Sequence, residues 1–343
     1  MSAKTLWVLG ASDPEMERIR AVLTEHGEHV VAAHVTHRPT GALRPVRPAE
    51  AYNAGVVAGD SGPPLIRGEY ARMVLVECSG RSIVDAEPAW GGAVERVDHH
   101  KPGDPGYGGR PNDFLPASSL GQVLSLLGAR HGSEHGPLGR WESPTRRLLA
   151  TPEGGEYAFE HGSWHLGVRG TGGGSDGLDD GYRCLGTGYA RWVRVPEELV
   201  LAAAADHCLG AAYAGECPGV DPDTLMRWRV ASRAAFQRRP TGDLEADIAD
   251  ARVALAEAPV LAVVAGIPVR DMRAERPVRE LVEAATRDGV AYVSGPLIDP
   301  DGRAKFTASG PPEVILAVMS GELLPDLYDV YGDPARGFAG GYL

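Results

Sequence analysis

The sequence predicts an α/β protein: a parallel sheet domain followed by a second, smaller α/β domain. Three observations carry this. Residues 4–35 read as an apolar run, an amphipathic helical stretch and a second apolar run. Further short apolar runs at 73–77 and 94–97 end at acidic residues. After residue 240, strand-like and helix-like segments alternate again.

The elements follow in order. KTLWVL at 4–9 is a short buried strand, and Gly10-Ala11-Ser12-Asp13 is a loop. Pro14 opens a helix to about Glu25, with Met16, Ile19, Val22 and Leu23 at helical spacing and Gly27 behind it. EHVVAAHV at 28–35 is the next strand, so the unit is β-α-β and its strands are parallel. Residues 36–70 are loop-rich, with a helix near 48–55. MVLVE at 73–77 and VERV at 94–97 are strands, and 117–129 is a helix.

Residues 130–195 are dense in glycine, above all at 167–181, with β-prone EYAFEH and YARWVRV on either side; they read as an insertion of hairpins and loops. Residues 196–214 read as one helix. Helices at 222–237 and 243–257, a buried strand at 258–267, a helix at 278–289, strands at 290–298 and 305–310, a helix at 312–321 and a glycine-rich tail complete the chain. The expected domains are 1–215, carrying the insertion, a helical linker at 216–240, and 241–343.

Length and charge narrow the function. A chain of 343 residues suits two cores. A net charge of -12 gives no attraction to long nucleic acid or to an anionic membrane, so any phosphate must be held locally, by a metal or a few arginines. No stretch is long and apolar enough for a membrane span, and the amino terminus turns charged too soon for a signal peptide. Cys78, Cys184, Cys208 and Cys217 contain no C-x-x-C pair, so reduced thiols and a cytoplasmic location are expected.

The chemistry concentrates at strand ends. Asp98-His99-His100 follows a strand; adjacent imidazoles there can face a metal and a substrate, and Asp98 can orient one by accepting its second N–H. Asp13 and Glu15 follow the first strand, and Glu77 ends MVLVE. Asp206-His207 interrupts an alanine-rich helix, where an unpaired carboxylate would be costly to bury. Carboxylates crowded at one sheet edge repel one another, and a divalent cation removes that repulsion. Oxygen ligands with one or two imidazoles suit Mn²⁺ or Mg²⁺. Asp13 and Glu15 are also the carboxylates that a helix N-terminus favours. His161 and His165 read as surface residues, the glycines at 170–174 as a linker or lid, and Cys208 and Cys217 as packing residues.

This order of acidic pair, acidic residue, Asp-His-His and distant Asp resembles the DHH phosphoesterases over about residues 4–215. More weakly, Gly337-Phe338-Ala339-Gly340-Gly341 is similar to the substrate-gripping loop of that family's second domain. The resemblance implies a Rossmann-like DHH-type domain and two metals, with Asp13 and Glu77 at one and Glu15, Glu77, His99 and Asp206 at the other. It assigns catalysis to His100 with Asp98, and substrate contacts to Arg336, Gly337, Gly340 and Gly341. His207 is a further candidate contact. The implied substrate is a small nucleotide, short oligonucleotide or other phosphorylated metabolite, hydrolysed at a phosphoester or phosphoanhydride; a homodimer is left open. The chain departs from the family at Leu9, where some members place a ligand His, and at Glu15 and Glu77, where Asp is usual. These departures motivate an alternative: a catalytically degenerate protein that binds a phosphorylated ligand or a protein partner.

Overall fold

The structure is a computed structural model, and it describes residues 4–37, 40–53, 55–59, 70–80, 83, 93–130, 148–150, 156–160, 162–169, 189–274, 278–298 and 302–343. The protein is a mixed α/β chain of two compact units. One comprises Met1–His99, Asp104–Gly106 and Leu115–Ala203; the other comprises His100–Gly103, Tyr107–Phe114 and Ala204–Leu343.

The first unit is built on strands β1 (Lys4–Leu9), β2 (His29–Thr36), β3 (Leu43–Pro45), β4 (Val57–Ala58), β5 (Tyr70–Val76) and β6 (Ala93–Val97). β2, β1, β5 and β6 are neighbours in that order and parallel, while β3 and β4 pair antiparallel with β2. Alternation decides which way each side chain goes. Leu6 and Val8 of β1 join Met73 and Leu75 of β5 in one buried cluster with Ala33, Val46 and Val56. Helix α1 (Pro14–Glu25) connects β1 to β2. Its N-cap is Asp13, whose carboxylate accepts the Met16 amide at 2.7 Å, and it buries Met16, Ile19, Val22 and Leu23 as their spacing predicts.

After β6 the chain passes through a single turn, Phe114–Ala117, into helix α2 (Ser119–Arg130). The glycine-rich insertion holds a regular element: an antiparallel meander of β7 (Leu148–Ala150), β8 (Glu156–Glu160), β9 (Ser163–Arg169) and β10 (Tyr189–Arg194), in the order β10-β9-β8-β7. It rests on α2. The Tyr157 hydroxyl donates to the Gly121 carbonyl at 2.6 Å, and a Cβ at Gly128 would crowd Leu166 at 3.2 Å. β9 has no counterpart among the strands read from sequence. The glycines at 170–174 and His161 lie outside the described residues.

The helix expected over 196–214 is two: α3 (Glu197–His207) and α4 (Leu209–Tyr213), interrupted at Cys208 with φ -144 and ψ 42. The break moves Asp206 from the middle of an alanine-rich helix to the last turn of α3.

In the second unit helices α5 (Pro222–Gln237), α6 (Thr241–Glu257), α7 (Leu281–Asp288) and α8 (Pro312–Met319) accompany a six-stranded sheet. Its strands are β11 (Val260–Val264), β12 (Ile267–Arg273), β13 (Ala291–Ile298), β14 (Ala304–Ser309), β15 (Tyr328–Asp333) and β16 (Phe338–Tyr342), in the order β11-β12-β13-β14-β16-β15. Only β12 and β13 are parallel neighbours. Tyr292 of β13 packs with Val230, Leu244, Ile248 and Leu281 from α5, α6 and α7; Val293, next in the chain, packs with Val314, Ile315 and Val318 of α8. The run expected as one buried strand at 258–267 is instead a hairpin at the sheet edge. Ala265 and Gly266 turn it with φ 50 and 83, and Val263 is 65% exposed.

Gly121 sits where α2 meets the turn before it: a Cβ there would overlap the Leu115 carbonyl. Gly121→Ala is therefore expected to lower stability by about 1–3 kcal/mol through overpacking, read as a shift of the urea unfolding midpoint. An unchanged midpoint would contradict this close approach.

Candidate metal centre

The parallel register brings the strand ends level. Leu9 of β1 pairs with Val76 of β5, and Val76 with Val97 of β6. The residues that follow therefore leave one edge of the sheet together, the carboxyl edge at which open α/β sheets bind ligands. The Gly10 amide donates to the Val76 carbonyl and the Glu77 amide to the Val97 carbonyl, each at 2.9 Å. A Cβ at residue 10 would overlap the Glu77 carbonyl, so glycine is required for β1 to close on Glu77. Glu77 itself has φ 49. A non-glycine residue in the left-handed region carries backbone strain of about 1–3 kcal/mol, and such strain collects at functional positions.

The N-terminus of α2 ties these ends together. Four amides at a helix start have no partner within the helix. Here the Ser119 amide donates to His99 Nδ1 at 3.2 Å and the Leu120 amide to Glu15 Oε1 at 3.0 Å. The Gly121 amide donates to Ser118 Oγ, and the Gln122 amide to the Ser118 carbonyl, both at 3.0 Å. Glu15 and His99 thus cap α2, and α2 in turn orients them. The positive end of the helix dipole also favours a carboxylate at this place.

Asp98 is fully buried and organises the loop. Its carboxylate accepts the Tyr52 hydroxyl at 2.7 Å and the His99 amide at 2.8 Å. Gln122 donates from Nε2 to the Asp98 carbonyl at 3.0 Å and accepts the Asp98 amide at 3.3 Å. The expected arrangement had Asp98 accept an imidazole N–H, but at His99 Nδ1 faces Ser119. Burial, then the Asp98 and Glu77 charges, push the Tyr52 hydroxyl far above its ordinary range, so it stays protonated and donates. Burial, with Asp98 and Glu77 behind it, likewise raises the Cys78 thiol, which is no nucleophile here.

Glu77 and His99 recur in two overlapping groups whose ligand atoms lie within 4.8 Å of one another, and Glu15 joins them in one. Glu15, Glu77 and His99 belong to the first unit and are 3%, 7% and 0% exposed. His100 follows His99 directly in the chain, and Asp206 lies on the last turn of α3, a helix that begins in that unit. His99 Nε2 is 3.8 Å from Glu77 Oε1. Two buried carboxylates beside an imidazole repel each other and are poorly solvated, and a divalent cation relieves both costs. The donor set fits such an ion, and the cluster can hold one.

The other sequence-derived candidates have different surroundings. Asp13 caps α1 and is in neither group. His207 is 1% exposed. Within the second unit Arg336, 9% exposed, donates from Nη2 to the Asp206 carbonyl at 2.9 Å and faces Asp206 Oδ2 at 3.4 Å. Its Nε and Nη1 are buried and have no hydrogen-bond partner among the described residues. Gly337 turns the β15–β16 hairpin at φ 72. Gly340 and Gly341 are not in a loop: they lie inside β16, and a Cβ on Gly340 would overlap the Tyr331 ring, which accounts for that glycine by packing alone. His165, expected at the surface, is 1% exposed because it points inward from β9. Tyr52 and Gln122 were not singled out, and Ser119 was read only as part of the helix start after Asp98-His99-His100. Gln122 alone left a signal, as a polar residue within the apolar run of α2.

Replacing Glu77 by glycine separates ligation from folding. Glu77→Gly is expected to keep or raise the unfolding midpoint, since glycine adopts φ 49 without strain. Its Mn²⁺ affinity by calorimetric titration should fall by at least about tenfold. Unchanged affinity would remove Glu77 from the ligand set. Compared with models of protein families, with curated proteins and with solved structures, the chain matches none.

Proposed function

We propose that the protein is a divalent-metal-dependent hydrolase of a phosphoester or phosphoanhydride in a small phosphorylated molecule, with Mn²⁺ or Mg²⁺ as cofactor. The observation that carries this reading is the buried group of Glu15, Glu77 and His99, of which Glu15 and His99 accept amides of one helix N-terminus. The residue order shared with the DHH phosphoesterases supports the same chemistry.

In this reading Glu15, Glu77 and His99 would hold the cation, with Asp206 as the further assigned ligand, and the ion would supply Lewis-acid chemistry for phosphoryl transfer to water. The chain does the rest. The helix amides keep Glu15 and His99 aimed, so little reorganisation accompanies binding. Asp98, held by Tyr52 and Gln122, fixes the loop from which His100 projects. His100 is the group assigned to the phosphate and to proton transfer. Arg336 offers Nε and Nη1 as donors to an anionic oxygen. Phosphorylated metabolites fit better than long nucleic acid, given the net charge of -12.

The test is hydrolysis of bis-p-nitrophenyl phosphate and inorganic pyrophosphate by the Mn²⁺-loaded protein. His99→Ala is expected to lower kcat at least about a hundredfold, within the range of lost electrostatic or acid–base catalysis. Full rate in that variant would defeat the reading. A non-hydrolytic binder is the second reading, favoured by Asp13, which caps a helix and joins neither ligand group. Tight Mn²⁺ binding with no turnover of nucleotides, cyclic dinucleotides, polyphosphate or sugar phosphates would select it.

A further inference from the structure

The second unit contains a feature that the proposed hydrolysis does not use. Cys208 and Cys217 are 2% and 3% exposed, and their Sγ atoms are 2.7 Å apart. That separation lies between the covalent sulfur–sulfur distance, about 2.05 Å, and an ordinary nonbonded contact. Their meeting is built into the backbone. Cys208 ends the helical path of α3, and its carbonyl accepts the Ala212 amide at 2.9 Å to start α4. Gly215, at φ 76, reverses the chain, with the Glu216 amide donating to the Ala211 carbonyl at 2.9 Å. This one-turn helix and its left-handed exit return Cys217 onto Cys208.

The geometry points to an intramolecular disulfide between Cys208 and Cys217: a redox modification site that closes the α4 turn on itself. The expectation of reduced packing thiols rested on the absence of a C-x-x-C pair. A C-x₈-C spacing folded through one helical turn serves the same end, since thiol–disulfide exchange needs only that two sulfurs reach one another.

The chemistry balances with a low-molecular-weight disulfide as oxidant. One cysteine thiolate attacks oxidised glutathione, forming a mixed disulfide and releasing one glutathione thiolate. The second cysteine sulfur attacks the protein-side sulfur of that mixed disulfide and releases the other. Two protein thiols are oxidised to one S–S bond, glutathione disulfide is reduced to two thiols, and the two cysteine protons pass to the departing thiolates. Burial of both sulfurs makes folding the step at which they are accessible to the oxidant.

The test is to refold the full chain from urea in glutathione buffers of increasing oxidised fraction, then alkylate and digest with trypsin. Residues 195–227 form one tryptic peptide that contains Cys208 and Cys217 but neither Cys78 nor Cys184. In oxidising buffer it should refuse alkylation and weigh about 2 Da less than the reduced peptide, and it should take up two alkyl groups after reduction. Cys217→Ser should abolish the mass loss and leave Cys208 alkylated or glutathionylated. Two alkylated cysteines, or a persistent single glutathione adduct in the most oxidising buffer, would overturn the proposal.

Discussion

The candidate centre depends on one constraint: the start of helix α2 must find partners for its amides. Two of them come from residues far apart in sequence, Glu15 and His99, which are also members of the ligand groups. A helix N-terminus held this way joins the first and fourth parallel strands to the helix packed beside them. Unpartnered buried amides are costly, so the capping bonds and the ligand geometry stabilise each other. Ser118 and Gln122 complete the arrangement with side chains that a purely apolar helix would lack.

Much of the fold was legible because its periodicities are clean. Pro14 and the spacing of Met16, Ile19, Val22 and Leu23 gave α1 its bounds, and the apolar runs gave β1, β5 and β6. Errors arose where tertiary context overrides composition. The insertion was read as hairpins, and two of its strands fall on EYAFEH and YARWVRV, but β7 and β9 of the meander were not read from the sequence. The valines of β11 look like a buried strand, but only the topology reveals that the strand lies on a sheet edge with Val260 and Val263 exposed. In EELVLAAAADHCLGAAYA the one residue that strongly disfavours a helix is Gly210, and it lies inside α4 rather than at the break at Cys208.

The centre was legible in part for a physical reason. A parallel sheet delivers strand ends to one edge, so acidic and imidazole residues just after strands are candidates before any contact is known. Glu15, Glu77 and His99 were found on that logic and belong to the ligand groups, whereas Asp206 was singled out as a carboxylate within an alanine-rich helix. The same logic offered Asp13, and the alternative read beside it, a helix-capping carboxylate, is what its bond to the Met16 amide shows. Residues that act by orientation carry no such signature: Tyr52 sits in a loop and reaches Asp98 across 46 residues. The left-handed backbone of Glu77 and the meeting of Cys208 with Cys217 are properties of the folded chain alone.

Crystals grown with Mn²⁺ and measured across the manganese absorption edge test the cation-holding role most directly. An anomalous peak is expected roughly 2–2.6 Å from carboxylate oxygens of Glu15 or Glu77 and from a ring nitrogen of His99. A peak elsewhere, or none at saturating Mn²⁺, would contradict it.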